Sequence, residues 1–299
     1  MRADFLDNIE GNRSFIMGNK RTWLLYGIYG VAVTAFFLYL LFPIDAVKNA
    51  TVNQIRHRFP LLQATIGQAH LVLPPGLRFD NVSVLKQKRP YFDASRVILR
   101  ADWLSLIRGR QAITYDIDAA GGRIEGRADI GGDQLNLIGE MERVRLEDVP
   151  ALQAYIPLGI SGVLNGKITY LTEPDNKQSA NLRINVSDCI VQLEEPFLNI
   201  DILRFTSIDA DAQLDNQQLK LTRFVFKGDE LNGDLSGTGI LRNTINKSSL
   251  NLSGKLQPNA ALLKQVGGDL AVNFLKGAGP GGLPIRISGS FDSPKVSFR

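Results

Sequence analysis

The sequence predicts a mainly β protein, in which one N-terminal transmembrane helix precedes a long, curved antiparallel β-sheet with a few short helices. Three observations predict this fold class. Residues 23–42 contain no charged side chain, long stretches after residue 60 alternate apolar with polar residues, and the pieces between those stretches are rich in Gly, Asp, Asn and Pro. Uncharged runs of about twenty residues are typical of membrane-spanning helices, and alternation with period two is typical of strands with one wetted face.

The uncharged run 23–42 predicts a single membrane-spanning helix. At about 1.5 Å per residue, a helix of this length matches the roughly 30 Å hydrocarbon core of a bilayer. The apolar region of a cleaved signal peptide is shorter, about 7–15 residues, and precedes a small-residue cleavage site that is missing here. Lys20 and Arg21 precede the run, whereas the first basic residue after it is Lys48. Because basic residues favour the cytoplasmic side, we expect a cytoplasmic tail over 1–22.

Alternation with period two continues through most of residues 61–299, which we expect to form one β-rich domain. In "RIEGRADI", "NLRINV" and "LNLSGKL", one set of alternate residues is apolar or small and the other is polar or charged. This pattern predicts an antiparallel sheet with one solvated face. Its apolar face has to be covered, by the sheet folding over on itself like a taco or sandwich, by helices, or by a ligand.

The dipeptide Ser-Gly recurs inside alternating segments, in "ISGVLNGKITY", "LNGDLSGTGIL", "LNLSGKLQP" and "ISGSFDSPKVSFR". Glycine inside a strand permits a bulge or a sharp bend. We therefore interpret these phrases as strand-bending units of one curved sheet. Their spacing follows no fixed period, which does not support a solenoid with strict repeat lengths.

A few segments break the alternation and predict helices. Residues 43–60 carry apolar side chains at helical spacing up to Pro60 and predict a short juxtamembrane helix or linker. Asp102–Arg110, Leu146–Ile156 and Asn259–Gly277 have the spacing and terminal residues of further helices. We expect these helices to plug the open ends of the sheet.

The apolar face of the predicted sheet is itself the candidate site. Alternate apolar residues on neighbouring strands would form a groove that holds acyl chains, and ordinary core packing is the alternative. The residues predicted to line this groove are Leu182, Ile184, Phe224, Phe226, Leu250, Leu252, Leu256, Ile285 and Ile287.

Composition argues against several kinds of chemistry. Cys189 is the only cysteine, and His57 and His70 are the only histidines, so a His/Cys zinc site or a histidine-dependent triad has few residues to use. Glu194 and Glu195 in "LEEP" predict a solvated turn rather than an acid/base pair. The net charge of +4 is spread along the chain without basic blocks, which argues against nucleic-acid binding. We predict no enzyme activity, cofactor or metal.

The order of segments resembles one protein family. A charged tail and a membrane helix are followed by "ADWLSLIRGRQAITYDIDAAGGRIEGRA", then "LEDVPALQAYIPLGISGVLNGKITYL", then a closing "IRISGSFDSPKVSF". This series looks like the type II secretion system protein N family and, more broadly, the AsmA-like envelope proteins. AsmA-like relatives are often much longer, which favours the secretion branch. The resemblance implies a single-pass inner-membrane protein with a periplasmic β-rich domain, and it supplies no catalytic residues.

Two functional hypotheses follow. In the first, the protein is a non-enzymatic component of the type II secretion apparatus that docks other components through strand edges or its polar face. In the second, it binds or transfers lipids, such as phospholipids, along the apolar face of the sheet. The two differ in whether the face that carries Leu250, Leu252 and Leu256 is a closed core or an open groove.

Overall fold

The structure is a computed structural model of the 299-residue chain. It forms two compact units, 1–47 and 48–299. The residues that the structure describes are 22–30, 33–34, 36–37, 43–58, 60–72, 76–132, 134–155, 158–173, 175, 177–197, 200–242, 248–259, 262, 282–290 and 293–298.

The N-terminal unit is helical where it is described, over 22–30, 33–34 and 36–37. The predicted span 23–42 is covered only in part, because 31, 32, 35 and 38–42 lie outside the described residues, as does the predicted tail apart from Thr22. Among the described residues, no helix has the length and hydropathy needed to cross a bilayer. Helix α1, Ile44–Arg58, occupies the segment where the sequence predicts a short helix.

Fourteen strands make up most of the second unit, and all belong to one sheet. Each strand pairs antiparallel with the next strand along the chain, so the order in space is the order in sequence. The strands are β1 Leu62–Val72, β2 Gly76–Lys86, β3 Arg89–Ala101, β4 Gln111–Ala119, β5 Gly122–Gly131, β6 Gln134–Arg145, β7 Gly159–Thr172, β8 Gln178–Phe197, β9 Ile200–Asp215, β10 Gln218–Gly228, β11 Leu231–Ile240, β12 Ser249–Pro258, β13 Leu283–Ser290 and β14 Ser293–Phe298.

This architecture confirms the prediction of a mainly β chain with an antiparallel sheet and a few short helices. Every described strand lies in the same sheet, as expected for one long sheet, and the expectation that this sheet folds over on itself stays a prediction. The segment "LEEP" was wrongly predicted as a turn, since β8 continues through it to Phe197. Antiparallel neighbours connected in order need only short turns, which explains why so long a sheet can form from local connections.

Several connections are two-residue hairpin turns. Gln87 and Lys88 join β2 to β3 with φ values of 51° and 67°, and Ala120 and Gly121 join β4 to β5 with 49° and 67°. Two successive residues with positive φ define the type I′ turn, whose twist matches that of the flanking strands. These turns fix the register of each hairpin.

Three of the four Ser-Gly phrases lie at distorted points of the strands, whereas Gly254 of the fourth pairs regularly with both neighbouring strands. Gly162, Gly237 and Gly289 have φ values of 144°, 151° and 107°, which side chains of L-residues rarely adopt. Gly162 also lies where the register between β7 and β8 shifts. These positions agree with the interpretation of the phrases as strand-bending units.

Short helices occupy two of the three later segments where the sequence predicts them. Helix α2, Trp103–Ile107, begins after Asp102, whose side chain accepts hydrogen bonds from the Leu104 and Ser105 amides. A 3-10 turn, Leu146–Asp148, and helix α3, Pro150–Tyr155, lie within the second segment. Most of the predicted helix Asn259–Gly277 lies outside the described residues, apart from Asn259 and the buried, helical Leu262.

We expect substitution of Gly126 by Ala to destabilise the sheet by about 1–3 kcal/mol, because the added methyl group has no room. A Cβ atom at Gly126 would clash with the Ile138 carbonyl oxygen and the Tyr115 hydroxyl. Gly131 in the same strand is the matched control, since a Cβ atom there meets no described atom within 4 Å. Denaturant unfolding of both variants measures the difference, and equal stability would contradict this packing.

Candidate functional site

One face of the sheet is apolar across all of its strands. Residues paired directly across neighbouring strands share a face, so the register defines rows that cross the sheet. A first central row contains only apolar residues, glycine and one tyrosine. Its members are Leu71, Leu77, Leu99, Tyr115, Gly126, Gly139, Ile168, Leu182, Ala212, Leu221, Gly237, Leu252, Ile287 and Val296.

A second central row runs beside the first and is equally apolar. It follows the same pairings from β1 to β13. Its members are Ala69, Phe79, Val97, Ile117, Ile124, Met141, Gly166, Ile184, Ala210, Phe224, Leu235, Gly254 and Ile285. Together the rows define a continuous surface, here called the apolar face.

The structure places every predicted groove residue on this apolar face. Leu182, Leu252 and Ile287 belong to the first central row, and Ile184, Phe224 and Ile285 belong to the second. The others lie in flanking rows. We call the strand ends where β3 connects to β4 the far end of the face, and the opposite strand ends the near end. Leu250 lies toward the far end, and Phe226 and Leu256 lie toward the near end.

Bulges keep apolar side chains on one face where the alternation of apolar and polar residues shifts by one residue. Met141 and Val144 are three residues apart in β6 yet both lie on the apolar face, because the register with β7 shifts between them. The same holds for Leu221 and Phe224 in β10, opposite β11. An extra residue in one strand reverses the side-chain phase, so period two alone does not assign these pairs to one face.

The near end of the apolar face is more closely packed than the far end. In the row at the near end, Ile66, Val144, Val186, Phe226 and Leu283 are buried. In the row at the far end, the large apolar side chains are all half-buried, and none is buried. These far-row side chains are Ile113, Leu137, Tyr170, Leu214, Leu219 and Leu250.

Part of the near end is covered by the segment between β6 and β7. Leu146 of the 3-10 turn is buried with Val186 and Cys189, and Leu152 of α3 packs against the same cluster. The Glu147 carboxylate accepts a hydrogen bond from the Gly162 amide at 3.1 Å. Amide donors hold the pKa of Glu147 below its usual range, first its own backbone N–H and then that of Gly162. This segment therefore acts as the plug that the sequence predicts.

A second cluster packs the apolar face at β9–β13. Phe226, Leu235 and Ile285 are buried there, and Phe224 packs against them. The Phe226 ring lies 5.6 Å from the ring of Phe205, edge to face, and 5.9 Å from that of Phe224. These geometries are the preferred ones for aromatic pairs.

Tyr115 crosses the apolar face toward β6. Its hydroxyl group donates a hydrogen bond to the Ile138 carbonyl at 3.0 Å. Gly126 and Gly139 lie beneath the side chain and leave the space that it occupies. Burial raises the pKa of the Tyr115 phenol. The tyrosine thus satisfies its only polar group and presents an aromatic ring to the apolar face.

The opposite face of the sheet, called the charged face, carries ion pairs between neighbouring strands. Arg123 makes two hydrogen bonds to the Asp116 carboxylate, at 2.9 and 2.7 Å. Lys167 lies 3.0 Å from Glu140, and Arg183 lies 2.8 Å from Asp211. Exposed pairs of this kind add little stability, but they keep this face wetted.

Two clefts lie on the charged face. One of about 800 Å³ contains Asp93, Asp118 and Arg123. The other, of about 790 Å³, contains Lys167 and Arg183. Both are open, and the lining of the second also includes Met141, Ile184 and Ala210 of the second central row.

The residues considered for chemistry at the sequence level do not come together. His70 lies 3.5 Å from Asp80 at the edge of the sheet, and Cys189 is buried in the plug cluster. Burial raises the pKa of the Cys189 thiol. Among the described residues, no group of three or more His, Cys, Asp or Glu side chains could hold a metal ion.

Comparison with known proteins adds no assignment. No protein-family model, no curated protein and no solved structure matches the chain. The resemblance to the secretion and AsmA-like families therefore stays a prediction based on the quoted segments.

We expect the Asp116→Asn substitution to lower stability at neutral pH by about 1 kcal/mol. Hydrogen bonding to Arg123 holds the pKa of Asp116 below its usual range, so its contribution to stability is present above the unfolded-state pKa of about 4. That contribution is lost as pH falls through the folded-state pKa, and the gap to wild type should then close. Urea unfolding across this pH range measures it, with Asp175→Asn in an exposed turn as control. A gap that does not change with pH would contradict the assignment.

Proposed function

We propose that this chain is a membrane-anchored, non-enzymatic protein that binds lipids and holds their acyl chains on the apolar face of its sheet. The observation that carries the proposal is the far row of the apolar face, whose large side chains are only half-buried; every described strand belongs to this one sheet, so none of them forms a second sheet over it. Apolar surfaces larger than a few hundred Å² usually mark a binding site, since leaving them in water is unfavourable.

The arrangement of the face suits an elongated ligand. Its rows cross the strands without a charged residue, so an acyl chain could contact apolar side chains over many strands. Part of the near end is covered by Leu146 and its cluster, while the large side chains of the far row are half-buried. A lipid would therefore reach the face from the far end, and its acyl chains would lie along the rows.

The N-terminal segment supports the membrane anchor in this proposal. Residues 22–30 are helical and every one of them is exposed, including Trp23, Leu25 and Tyr29. At about 3.6 residues per turn, nine consecutive residues point in all directions around the helix axis. A helix with apolar side chains exposed on all sides suits a lipid surrounding. We place the anchor in the inner membrane and the sheet in the periplasm, as the family resemblance implies.

Photocrosslinking in cells tests lipid binding. A photoreactive residue replaces Leu182 or Leu250 on the apolar face, and Arg183 or Asn251 serve as controls. Each control is the next residue of the same strand, so it points to the charged face. We expect lipid adducts at Leu182 and Leu250 and few at the controls. Only intramolecular or protein adducts at the apolar positions would overturn the proposal.

A second candidate function is that of a docking component of the type II secretion apparatus. It is supported by β14, which ends the sheet and pairs on one side only, with β13. Its residues Ser293–Ser297 are exposed. A free strand edge offers unpaired N–H and C=O groups to a strand of a partner.

The docking candidate has a matched pair of positions for its test. Ser297 on the edge strand and Ser253 in the interior are both exposed, and both pair with Arg286 across one row. If β14 docks a secretion component, a photoreactive residue at Ser297 should crosslink to it and one at Ser253 should not. Equal crosslinking at both positions, or none at Ser297, would contradict docking through this edge.

A further inference from the structure

Helix α2 exposes a group of large apolar side chains at the far end of the sheet. Trp103, Leu104, Leu106 and Ile107 are 48%, 67%, 42% and 81% exposed, and together they are called the apolar knob. Elsewhere in the described part of residues 48–299, exposed large apolar side chains stand singly along the sequence. Single exposed apolar residues are ordinary on protein surfaces, whereas a group of four in five residues is not.

The knob is held by polar contacts on its inner side. Ser105 is buried, and its hydroxyl donates to the Asp102 carboxylate at 3.0 Å and accepts from Arg127 at 2.9 Å. The Ser105 carbonyl accepts hydrogen bonds from the Arg108 and Arg110 amides, at 3.1 and 2.8 Å. The apolar side chains are therefore directed outward by a fixed turn.

The charge around the knob is positive. Arg108 and Arg110 follow it directly and are exposed, and residues 103–110 contain no acidic residue. The preceding Asp102 is neutralised by Arg127, whose Nη1 atom lies 2.6 Å from its carboxylate. That contact, with the bond from Ser105, holds the pKa of Asp102 below its usual range.

We propose that the apolar knob, with Arg108 and Arg110, binds the surface of an anionic lipid bilayer. Tryptophan and aliphatic side chains insert at the boundary between headgroups and acyl chains, and arginines bind anionic headgroups while their stems stay in the apolar layer. Asp102 and Ser105 contact Arg127 of β5, and residues 103–110 therefore offer the bilayer apolar and cationic side chains. The contact goes beyond the proposed function, because it does not require a lipid on the apolar face.

The knob lies at the far end of the apolar face. It follows Ala101, a member of the far row, and therefore lies at the half-exposed end of the apolar face. The chain enters the sheet at Leu62, at the near end. Strands β1 to β3 have 11–13 residues, and at about 3.3 Å per residue they separate the near end from the far end by roughly 35–40 Å. The knob would bring a bilayer surface to the end of the apolar face that is open.

Vesicle flotation tests this contact with the full chain held in nanodiscs of phosphatidylcholine. We expect the nanodiscs to float with added vesicles that contain phosphatidylglycerol, and much less with vesicles of phosphatidylcholine alone. The variant Leu104→Gln/Ile107→Gln should bind at least about tenfold more weakly, because each aliphatic side chain withdrawn from water contributes roughly that factor. Arg108→Gln/Arg110→Gln should remove the preference for anionic vesicles, and added salt should reduce it in wild type.

The matched control is Ile190→Gln, an exposed apolar residue on a strand remote from the knob. Flotation of the Leu104→Gln/Ile107→Gln variant at wild-type level would overturn the proposal, as would a loss that the Ile190→Gln control shares. If the knob binds another protein instead, the Leu104→Gln/Ile107→Gln variant should change the mass of the nanodisc particle in the absence of vesicles and should float like wild type. That result would also overturn the bilayer proposal. Lipid adducts at Leu250 are scored separately, so failure of the proposed function does not alter this result.

Discussion

The structure depends on one constraint: across the fourteen described strands, each strand must direct its apolar side chains to the same face as its neighbours do. A slip of one residue in an antiparallel pair transfers a whole set of apolar side chains to the opposite face. Type I′ turns fix the phase between neighbours, and bulges restore it where a strand carries an extra residue, as between Met141 and Val144. The result is a sheet with one apolar face and one charged face.

The two faces need different surroundings. Water and cross-strand ion pairs such as Arg183–Asp211 are sufficient for the charged face. The apolar face requires either protein or lipid over it, and among the described residues Leu146 and Leu152 cover part of its near end. A lipid-binding function accounts for the part that remains half-exposed, whereas docking through the free edge of β14 does not use that part.

The ends of the strands differ as much as the faces do. The plug and the entry of the chain into the sheet lie at the near end, while the half-exposed far row and the apolar knob lie at the far end. This polarity gives the apolar face a direction along the strands.

The sequence by itself determined most of the strands and, within each regularly alternating stretch, which side chains share a face. Local alternation in "NLRINV" and "LNLSGKL" assigned Leu182, Ile184, Leu250 and Leu252 correctly, because side chains in a strand alternate whatever their neighbours are. Only the tertiary structure decided that the strands form one sheet and that bulges bring Leu221 and Phe224 to the same side. It also decided that the near end is more closely packed than the half-buried far row and that the knob is exposed, since burial depends on which distant segments fold over each strand and local pattern carries no record of them.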